Sequence, residues 1–396
     1  MALTTQLDPA TGSRPPGERI AGLDVVRAVA LIGVVVMNYH GYLILLGAER
    51  GTDPVERFFD PWTGPLATRF AATFVLVAGI GVSLMTERLR TADPSDPESA
   101  ADVRSAVTAM RWRFVRRGLV LYVVGQAIEQ TWPGTILIYY GALFVLAAVL
   151  FRLRDAAIVS IGIGAVVASV VLQVWLFRQA EAGESTAWLT SPAGASWQDR
   201  IFEIVVNGTH PLVPWLAFFC AGIVLGRHLR DVRWTMGAAM LGVFLFFAAG
   251  ILNGAATTPF QARMLSDDPS SRSAVYVASA LGTALIATIG ILRLVDGATR
   301  TRRARHAPES PIEFDMGRQI AEVLGRAGQM SLTIYLLHVA VFRLLVDGLG
   351  VIEPAGLGTA LAFAAAFWVV AIAAANAWHR RFGRGPAEVV YRRLGG

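Results

Sequence analysis

Long uncharged apolar runs are the feature of this sequence that most restricts its fold. The runs from Ala156 to Phe177, from Trp234 to Gln261 and from Pro354 to Trp378 contain no charged residue. An apolar run of about 20 residues crosses a bilayer as a helix. Charged residues make up only 16% of the chain, well below the usual share in soluble domains. These runs predict an all-α, polytopic integral membrane protein.

We predict ten transmembrane helices from the apolar pattern. The third and fourth are short, and Pro133-Gly134 between them indicates a tight turn. The ten predicted spans cover approximately residues 23–47, 66–87, 114–131, 135–151, 156–178, 208–226, 234–254, 274–294, 327–347 and 356–378.

The distribution of arginine predicts the orientation in the membrane. All 35 basic residues are Arg, and 27 of them lie on one side if the N-terminus is inside. Because positive charge concentrates on the cytoplasmic side, we expect both termini there, in a multi-pass protein of the plasma (inner) membrane. Residues 1–18 are predicted to be a disordered cytoplasmic tail. Residues 19–396 form one predicted helical domain, with a cytoplasmic linker at 297–320.

Several classes of site and partner are not expected. The pI near 10 does not indicate nucleic-acid binding, because the arginines lie mainly between apolar runs. The single Cys220 excludes an internal disulfide and a multi-cysteine metal site. No third ligand at suitable spacing accompanies His40 and His210, so we predict no metal. Membrane lipids are the expected surroundings.

The first predicted helix carries polar residues that an anchor does not need. Asp24 and Arg27 lie near its start, and Asn38 and His40 lie toward its end. Polar groups at membrane depth are costly and usually functional. Arg27 and Asn38 share a helical face about 16 Å apart, and Asp24 is placed to pair with Arg27. His40 lies on nearly the opposite side from Asn38, so a joint site requires either that the helix loosen near Gly41 or that the site lie past the helix end, in the outer leaflet.

Two later segments carry further candidates. His210 precedes Pro211 at the start of a predicted span, where proline suits the first turn. Ser331, Tyr335 and His338 follow an i, i+4, i+7 pattern and form a polar stripe. Such a stripe either lines a cavity or makes hydrogen bonds to neighbouring helices.

These residues predict proton-transfer chemistry. An imidazole can take a proton from a hydroxyl or amine that attacks an acyl carbonyl, and His40 is the predicted base. Asn38 would orient that base or donate to the developing oxyanion. The sequence has no GxSxG motif, so direct transfer from a carrier thioester and a transient acyl-His both remain open. The structural alternative is an Asp24–Arg27 pair fixing the helix base and a histidine at the interface.

The segment RIAGLDVVRAVALIGVVVMNY resembles the signature helix of the transmembrane acyltransferase superfamily. That superfamily includes heparan-α-glucosaminide N-acetyltransferase and the bacterial YeiB-like proteins. Five later segments agree with it in order: RFAATFVLVAGIGVSLM, LVLYVVGQAIEQTWPGTILIYYGAL, HPLVPWLAFFCAGIVLGR, LGRAGQMSLTIYLLH and RFGRGPAEVVYRR.

The resemblance implies ten or eleven membrane helices, a cytoplasmic acyl-CoA donor (usually acetyl-CoA) and an acceptor glycan on the far side. It also implies a histidine near the end of the first helix, with Asn38 at the family's asparagine. Where the animal enzyme has its histidine, this chain reads Leu45-Leu46-Gly47, so His40 is predicted to substitute.

An arginine set is predicted to hold the phosphates of the donor. Arg27 is expected to act with Arg113, Arg116 and Arg117, since arginine suits bidentate phosphate binding. The alternative is that this cluster only determines topology.

The function predicted first is transfer of an acyl group from cytoplasmic acyl-CoA to a glycan or lipid-linked acceptor at the outer face. Two alternatives stay open: a transporter or flippase of a cell-envelope precursor, and a non-catalytic partner in envelope assembly. The sequence leaves a homodimer open.

Overall fold

The computed structural model describes residues 20–91, 97–191, 196–305 and 316–396. No strand occurs in these ranges. Short non-α helices occur at Glu203–Asn207, Pro269–Ser271 and Arg343–Gly348. The α-helices are α1 (Ala21–Leu45), α2 (Pro54–Phe58), α3 (Arg69–Thr91), α4 (Pro97–Glu129), α5 (Leu137–Leu150), α6 (Asp155–Glu181), α7 (Ala187–Thr190), α8 (Trp197–Phe202), α9 (Leu212–Arg227), α10 (Val232–Gly254), α11 (Pro259–Met264), α12 (Ala274–Arg305), α13 (Met316–Gly328), α14 (Ser331–Phe342), α15 (Leu357–Phe382) and α16 (Pro386–Gly395).

The prediction of an all-α, multi-pass membrane protein is confirmed, but the count of ten spans is not. Every predicted span overlaps a helix. Within the described ranges, seven helices are long and apolar enough to cross a membrane, namely α1, α3, α6, α10, α12, α14 with its continuation to Gly348, and α15. The segments Trp197–Asn207 and Leu212–Arg227, bent by 56°, form an eighth if counted as one span. α5 has only 14 residues, and α4 has a charged first half.

Three boundaries differ from the predictions. α4 begins at Pro97 rather than near 114, because proline starts a helix well and no breaker follows it. The predicted span 327–347 is split, with α13 ending at Gly328 and α14 beginning at Ser331. The predicted linker 297–320 overlaps the ends of α12 and α13, and its residues 306–315 lie outside the described residues, as does the predicted tail 1–18.

The first membrane helix lies at the centre of the bundle. α1 packs against α3, α12, α13, α14 and α15. Its Tyr39 is fully buried and stacks on Phe363, with ring centroids 4.2 Å apart. Phe342 and Phe367 complete this aromatic cluster. Packing on so many sides fixes the rotation of α1 and therefore the direction of its polar face.

Glycines allow α3 and α9 to approach closely. A Cβ atom at Gly222 would lie 2.0 Å from the backbone oxygen of Leu76, and one at Gly79 would lie 2.3 Å from that of Phe219. Small residues at such contacts let two membrane helices pack backbone to backbone. This contact joins the bent α9 segment to the helices around α1.

We expect Gly222→Ala to destabilise the bundle, because the added methyl group overlaps a carbonyl on α3 that cannot rotate away. Overpacking of this kind costs about 1–3 kcal/mol. The measurement is the thermal unfolding temperature of the full chain in detergent, which should fall by several degrees. Gly250→Ala is the control, since nothing lies within 4 Å of that position and alanine favours helix. Equal unfolding temperatures for both variants would contradict the proposed contact.

Candidate functional site

Two cavities lie end to end along one face of α1. The first, here called the Arg27 cavity, has a volume of about 230 Å³. The second, the Asn38 cavity, has a volume of about 530 Å³. Val34, Ile136 and Tyr335 line both cavities. The two spaces therefore adjoin inside the bundle, and Tyr335 lies at their junction.

A partly buried ion pair supports the Arg27 cavity. Arg27 Nη1 donates to Asp24 Oδ1 at 3.0 Å, and Gln329 Nε2 donates to Asp24 Oδ2 at 3.2 Å. Asp24 is buried, whereas the Arg27 side chain is 31% exposed and lines the cavity. The predicted i, i+3 pair is present, and it holds a guanidinium at the cavity wall.

The C-terminal helix closes one side of the Arg27 cavity. Glu388 on α16 accepts hydrogen bonds from the backbone N–H groups of Leu332 at 2.7 Å and Thr333 at 3.1 Å. It also accepts one from the Thr333 hydroxyl at 2.5 Å. These amides are among the unpaired donors at the start of α14, so Glu388 caps α14 from another helix. Glu388 and Tyr391 both line the cavity.

Of the three α4 arginines predicted to bind phosphate, the structure places Arg117 beside the Arg27 cavity and Arg113 and Arg116 away from its wall. Arg117 Nη1 contacts Met85 Sδ at 3.1 Å, and its guanidinium lies 5.7 Å from the Tyr391 ring centroid. Since Met85 and Tyr391 line the Arg27 cavity, Arg117 lies beside that cavity. Arg113 and Arg116 are exposed on α4 and do not line it.

A hydrogen-bonded chain fixes Asn38, which lies one helical turn beyond the junction residue Val34. His338 Nδ1 bonds the carbonyl oxygen of Tyr335, and a carbonyl can only accept, so Nδ1 carries the proton. In the neutral ring, Nε2 then accepts, and Asn38 Nδ2 lies 3.2 Å from it. The amide NH₂ of Asn38 therefore faces His338. One N–H and the amide oxygen of Asn38 remain for the cavity that it lines.

His40 is not part of either cavity wall. Its Nδ1 bonds the carbonyl oxygen of Phe59 at 2.9 Å, and its Nε2 lies 3.5 Å from Glu56 Oε2. α1 stays helical to Leu45, so the helix does not loosen near Gly41. The structure therefore does not bring His40 and Asn38 onto one cavity. His40 instead supports the loop that follows α1.

That loop forms part of the Asn38 cavity wall through Trp62. Asp60 accepts hydrogen bonds from the backbone N–H groups of Trp62 at 3.0 Å and Thr63 at 2.7 Å, and from the side chain of Arg50. Burial raises the pKa of Asp60, but these hydrogen bonds, led by that from Arg50, lower it more, to about 2. The loop is thus held by an ionised carboxylate.

We expect Asp60→Asn to destabilise the protein at neutral pH but progressively less in acid. A carboxyl whose pKa is depressed on folding stabilises the folded state above its unfolded pKa of about 3.9. That contribution is lost as pH falls from about 4 toward 2. The measurement is the difference in unfolding temperature between wild type and variant from pH 7 to pH 2. A difference that is constant across this range would contradict the assignment.

His210 lines the Asn38 cavity. Its Nδ1 atom is buried and has no hydrogen-bond partner among the described residues. Its ring meets Trp215 edge to face, with centroids 4.6 Å apart, and lies 5.7 Å from the Tyr139 ring. Of the histidines predicted from the sequence, His210 is therefore the one with a ring on the cavity surface.

Contacts from Arg272 and Tyr139, both distant in the sequence, position the backbone next to His210. Arg272 donates to the carbonyl oxygens of Asn207 at 2.9 Å and Gly208 at 2.8 Å. The hydroxyl of Tyr139 accepts from the backbone N–H of Thr209 at 2.9 Å. These bonds satisfy backbone groups at the break before α9, so His210 sits on a supported turn.

Glu129 is a cavity residue that the sequence analysis did not select. Its carboxylate accepts from the backbone N–H groups of Gly134 at 2.8 Å and Thr135 at 3.1 Å. The Thr135 hydroxyl in turn lies 2.9 Å from that of Tyr335. Glu129 therefore orders the α4–α5 turn beside the junction. Its position at a helix end next to Pro133-Gly134 was the only signal in the sequence.

Comparison with known families matches two models that together cover most of the chain. The family described as Heparan-alpha-glucosaminide N-acetyltransferase, catalytic, matches residues 19–254, which is more than half of the chain. The chain belongs to this family. A second model, Protein of unknown function (DUF418), matches residues 228–395. No curated protein matches the chain.

The family match covers α1 to α10, which carry most of the wall of both cavities. The remaining wall residues, including Tyr335, Glu388 and Tyr391, fall in the DUF418 match. The resemblance inferred from six sequence segments is thereby confirmed for this membrane acetyltransferase-like family. In the part of the chain that the structure describes, no group of three His, Cys, Asp or Glu residues is arranged to hold a metal.

Proposed function

We propose that the protein is an acyltransferase that carries an acyl group, most simply acetyl, through the bundle. Acyl-CoA binds with its pantetheine arm in the Arg27 cavity and its acyl end at the junction beside Asn38, and the acceptor binds in the Asn38 cavity. The observation that carries this proposal is the meeting of two cavities at Tyr335, beside an oriented Asn38. Arg27 and Asn38 are about 16 Å apart along α1, comparable to an extended pantetheine arm. The acetyltransferase family supports the same reading.

The arginine distribution gives the direction of transfer. With most arginines on the cytoplasmic side, the Arg27 end faces the cytoplasm and the His210 end faces outward. Acyl-CoA then enters from the cytoplasm, and a glycan or lipid-linked acceptor enters from outside. In this proposal Arg27, on the cavity wall, and Arg117, beside it, contact the phosphates. The exposed Arg113 and Arg116 add positive charge that attracts the anionic donor.

The chemistry follows from the groups on the cavity walls. The acceptor oxygen or nitrogen attacks the thioester carbonyl carbon while His210 takes its proton. The N–H of Asn38 that is not bonded to His338 donates to the developing oxyanion. The carbon–sulfur bond then breaks, and His210 returns the proton to the leaving thiolate. This is direct transfer, and it needs no acyl-enzyme.

The test is an acetyl-transfer assay on the full chain in liposomes, with acetyl-CoA inside and amino-sugar and neutral oligosaccharides outside. We expect wild type to release CoA only when an acceptor is present. Asn38→Ala and His210→Ala should each lower kcat by about a hundredfold or more. The Kd for acetyl-CoA should change far less than kcat, because neither residue lines the Arg27 cavity that holds the pantetheine arm.

His379→Ala is the matched control, because His379 lies outside both cavity walls. Loss of kcat in His40→Ala but not in His210→Ala would restore the sequence-based assignment of His40 as the base and contradict the role given to His210. Wild type that neither binds acetyl-CoA nor transfers acetyl to any acceptor would contradict the acyltransferase and favour a transporter or an assembly partner.

A further inference from the structure

Two buried hydroxyl groups with no hydrogen-bond partner among the described residues belong to tyrosines that line the Arg27 cavity. The phenol oxygens of Tyr140, on α5, and Tyr391, on α16, are shielded from solvent and make no hydrogen bond among the described residues. Both tyrosines line the cavity. They lie far apart in the sequence, so their convergence on one space is a property of the fold.

Three other polar side chains of this wall are engaged within the protein, and Ser331 also lines it. Glu388 caps α14, Tyr335 bonds the Thr135 hydroxyl, and Arg27 pairs with Asp24. Much of the remaining surface is apolar, with side chains such as Leu31, Phe74, Leu121 and Phe144. The cavity is therefore a mostly apolar slot whose wall includes two tyrosines with buried hydroxyl groups that have no partner among the described residues.

Buried hydroxyl groups rarely stay unpaired, because losing water without gaining a partner is unfavourable. A molecule that fills the slot is the natural partner for both. Burial raises the pKa of Tyr391, more than the nearby Arg117 lowers it, so this phenol stays neutral and can donate its proton. A hydrocarbon chain in the slot would leave both hydroxyl groups unpaired, and sites with unpaired buried polar groups discriminate against such ligands.

The pantetheine arm of an acyl-CoA matches this slot. It carries two amide groups spaced along methylene and methyl groups, so it offers hydrogen-bonding atoms within an otherwise apolar chain. Tyr391 lies beside Arg117, toward the proposed phosphate end. Tyr140 lies one helical turn from Ile136, which lines both cavities, and so sits toward the junction.

We infer that Tyr140 and Tyr391 are donor-binding residues that hydrogen-bond the amide groups of the pantetheine arm. This inference rests on the proposed function and adds the part of the donor that the site recognises. Because Tyr391 lies on α16, the inference also makes α16 part of the donor-binding site.

The test removes only the oxygen atoms. We expect Tyr140→Phe and Tyr391→Phe each to raise the Kd for acetyl-CoA about three- to tenfold, with roughly multiplicative effects in the double variant. The thermal unfolding temperature without ligand should not fall in either variant, because neither hydroxyl loses a partner. Binding is measured by calorimetry on the full chain in detergent.

Tyr276→Phe is the matched control. Its hydroxyl lies 2.8 Å from that of Thr68, and Tyr276 lines neither cavity. This variant should lower the unfolding temperature while leaving the Kd for acetyl-CoA unchanged. The two sets of variants thus have opposite expected results in the two measurements.

The outcomes separate this inference from the proposed function. If wild type binds acetyl-CoA and both cavity variants bind it equally well, the inference is overturned and the proposed function stands. If Tyr140→Phe or Tyr391→Phe lowers the unfolding temperature as Tyr276→Phe does, that hydroxyl has a partner within the protein, and its role in donor binding is overturned. If wild type does not bind acetyl-CoA, both proposals fail together.

Discussion

The hydrogen bond between Asn38 and His338 is the contact on which the arrangement of the site depends. It joins α1, at the centre of the bundle, to α14 at the junction of the two cavities. The His338 ring is itself held by a backbone carbonyl. Its hydrogen bond to Asn38 therefore fixes the side-chain rotation of Asn38 and turns the Asn38 NH₂ group toward His338. One side of the Asn38 amide is therefore held by His338, and its other N–H and its oxygen remain available to a ligand in the Asn38 cavity.

The two cavities differ in a way that suits two substrates. The Arg27 cavity is the smaller of the two and is mostly apolar, with the Arg27 guanidinium on its wall. The Asn38 cavity is larger and carries the side chains of Glu129, His210 and Arg272 together with aromatic rings. The first matches a thin donor arm with a charged head, and the second matches a bulkier polar acceptor. The reaction would occur where a shared residue, Tyr335, separates them.

The sequence was sufficient for the features that depend on local spacing. The apolar runs predicted the helices, and the i, i+3 spacing predicted the Asp24–Arg27 pair. Helical periodicity also placed His40 opposite Asn38, as the structure has it. The bond from Asn38 to His338 spans 300 residues, and no periodicity within one helix can reveal it. The unpaired hydroxyl groups of Tyr140 and Tyr391 were equally invisible, because a missing partner is a property of three-dimensional packing.

The most direct test of the acyl-transfer pathway is a cryo-EM structure of the full chain with a non-hydrolysable acetyl-CoA analogue in which a methylene follows the sulfur. The account predicts density for the nucleotide beside Arg27 and Arg117. It also predicts an extended arm through the Arg27 cavity and an analogue carbonyl within hydrogen-bonding distance of the Asn38 amide. An analogue bound elsewhere, with both cavities empty, would contradict the account.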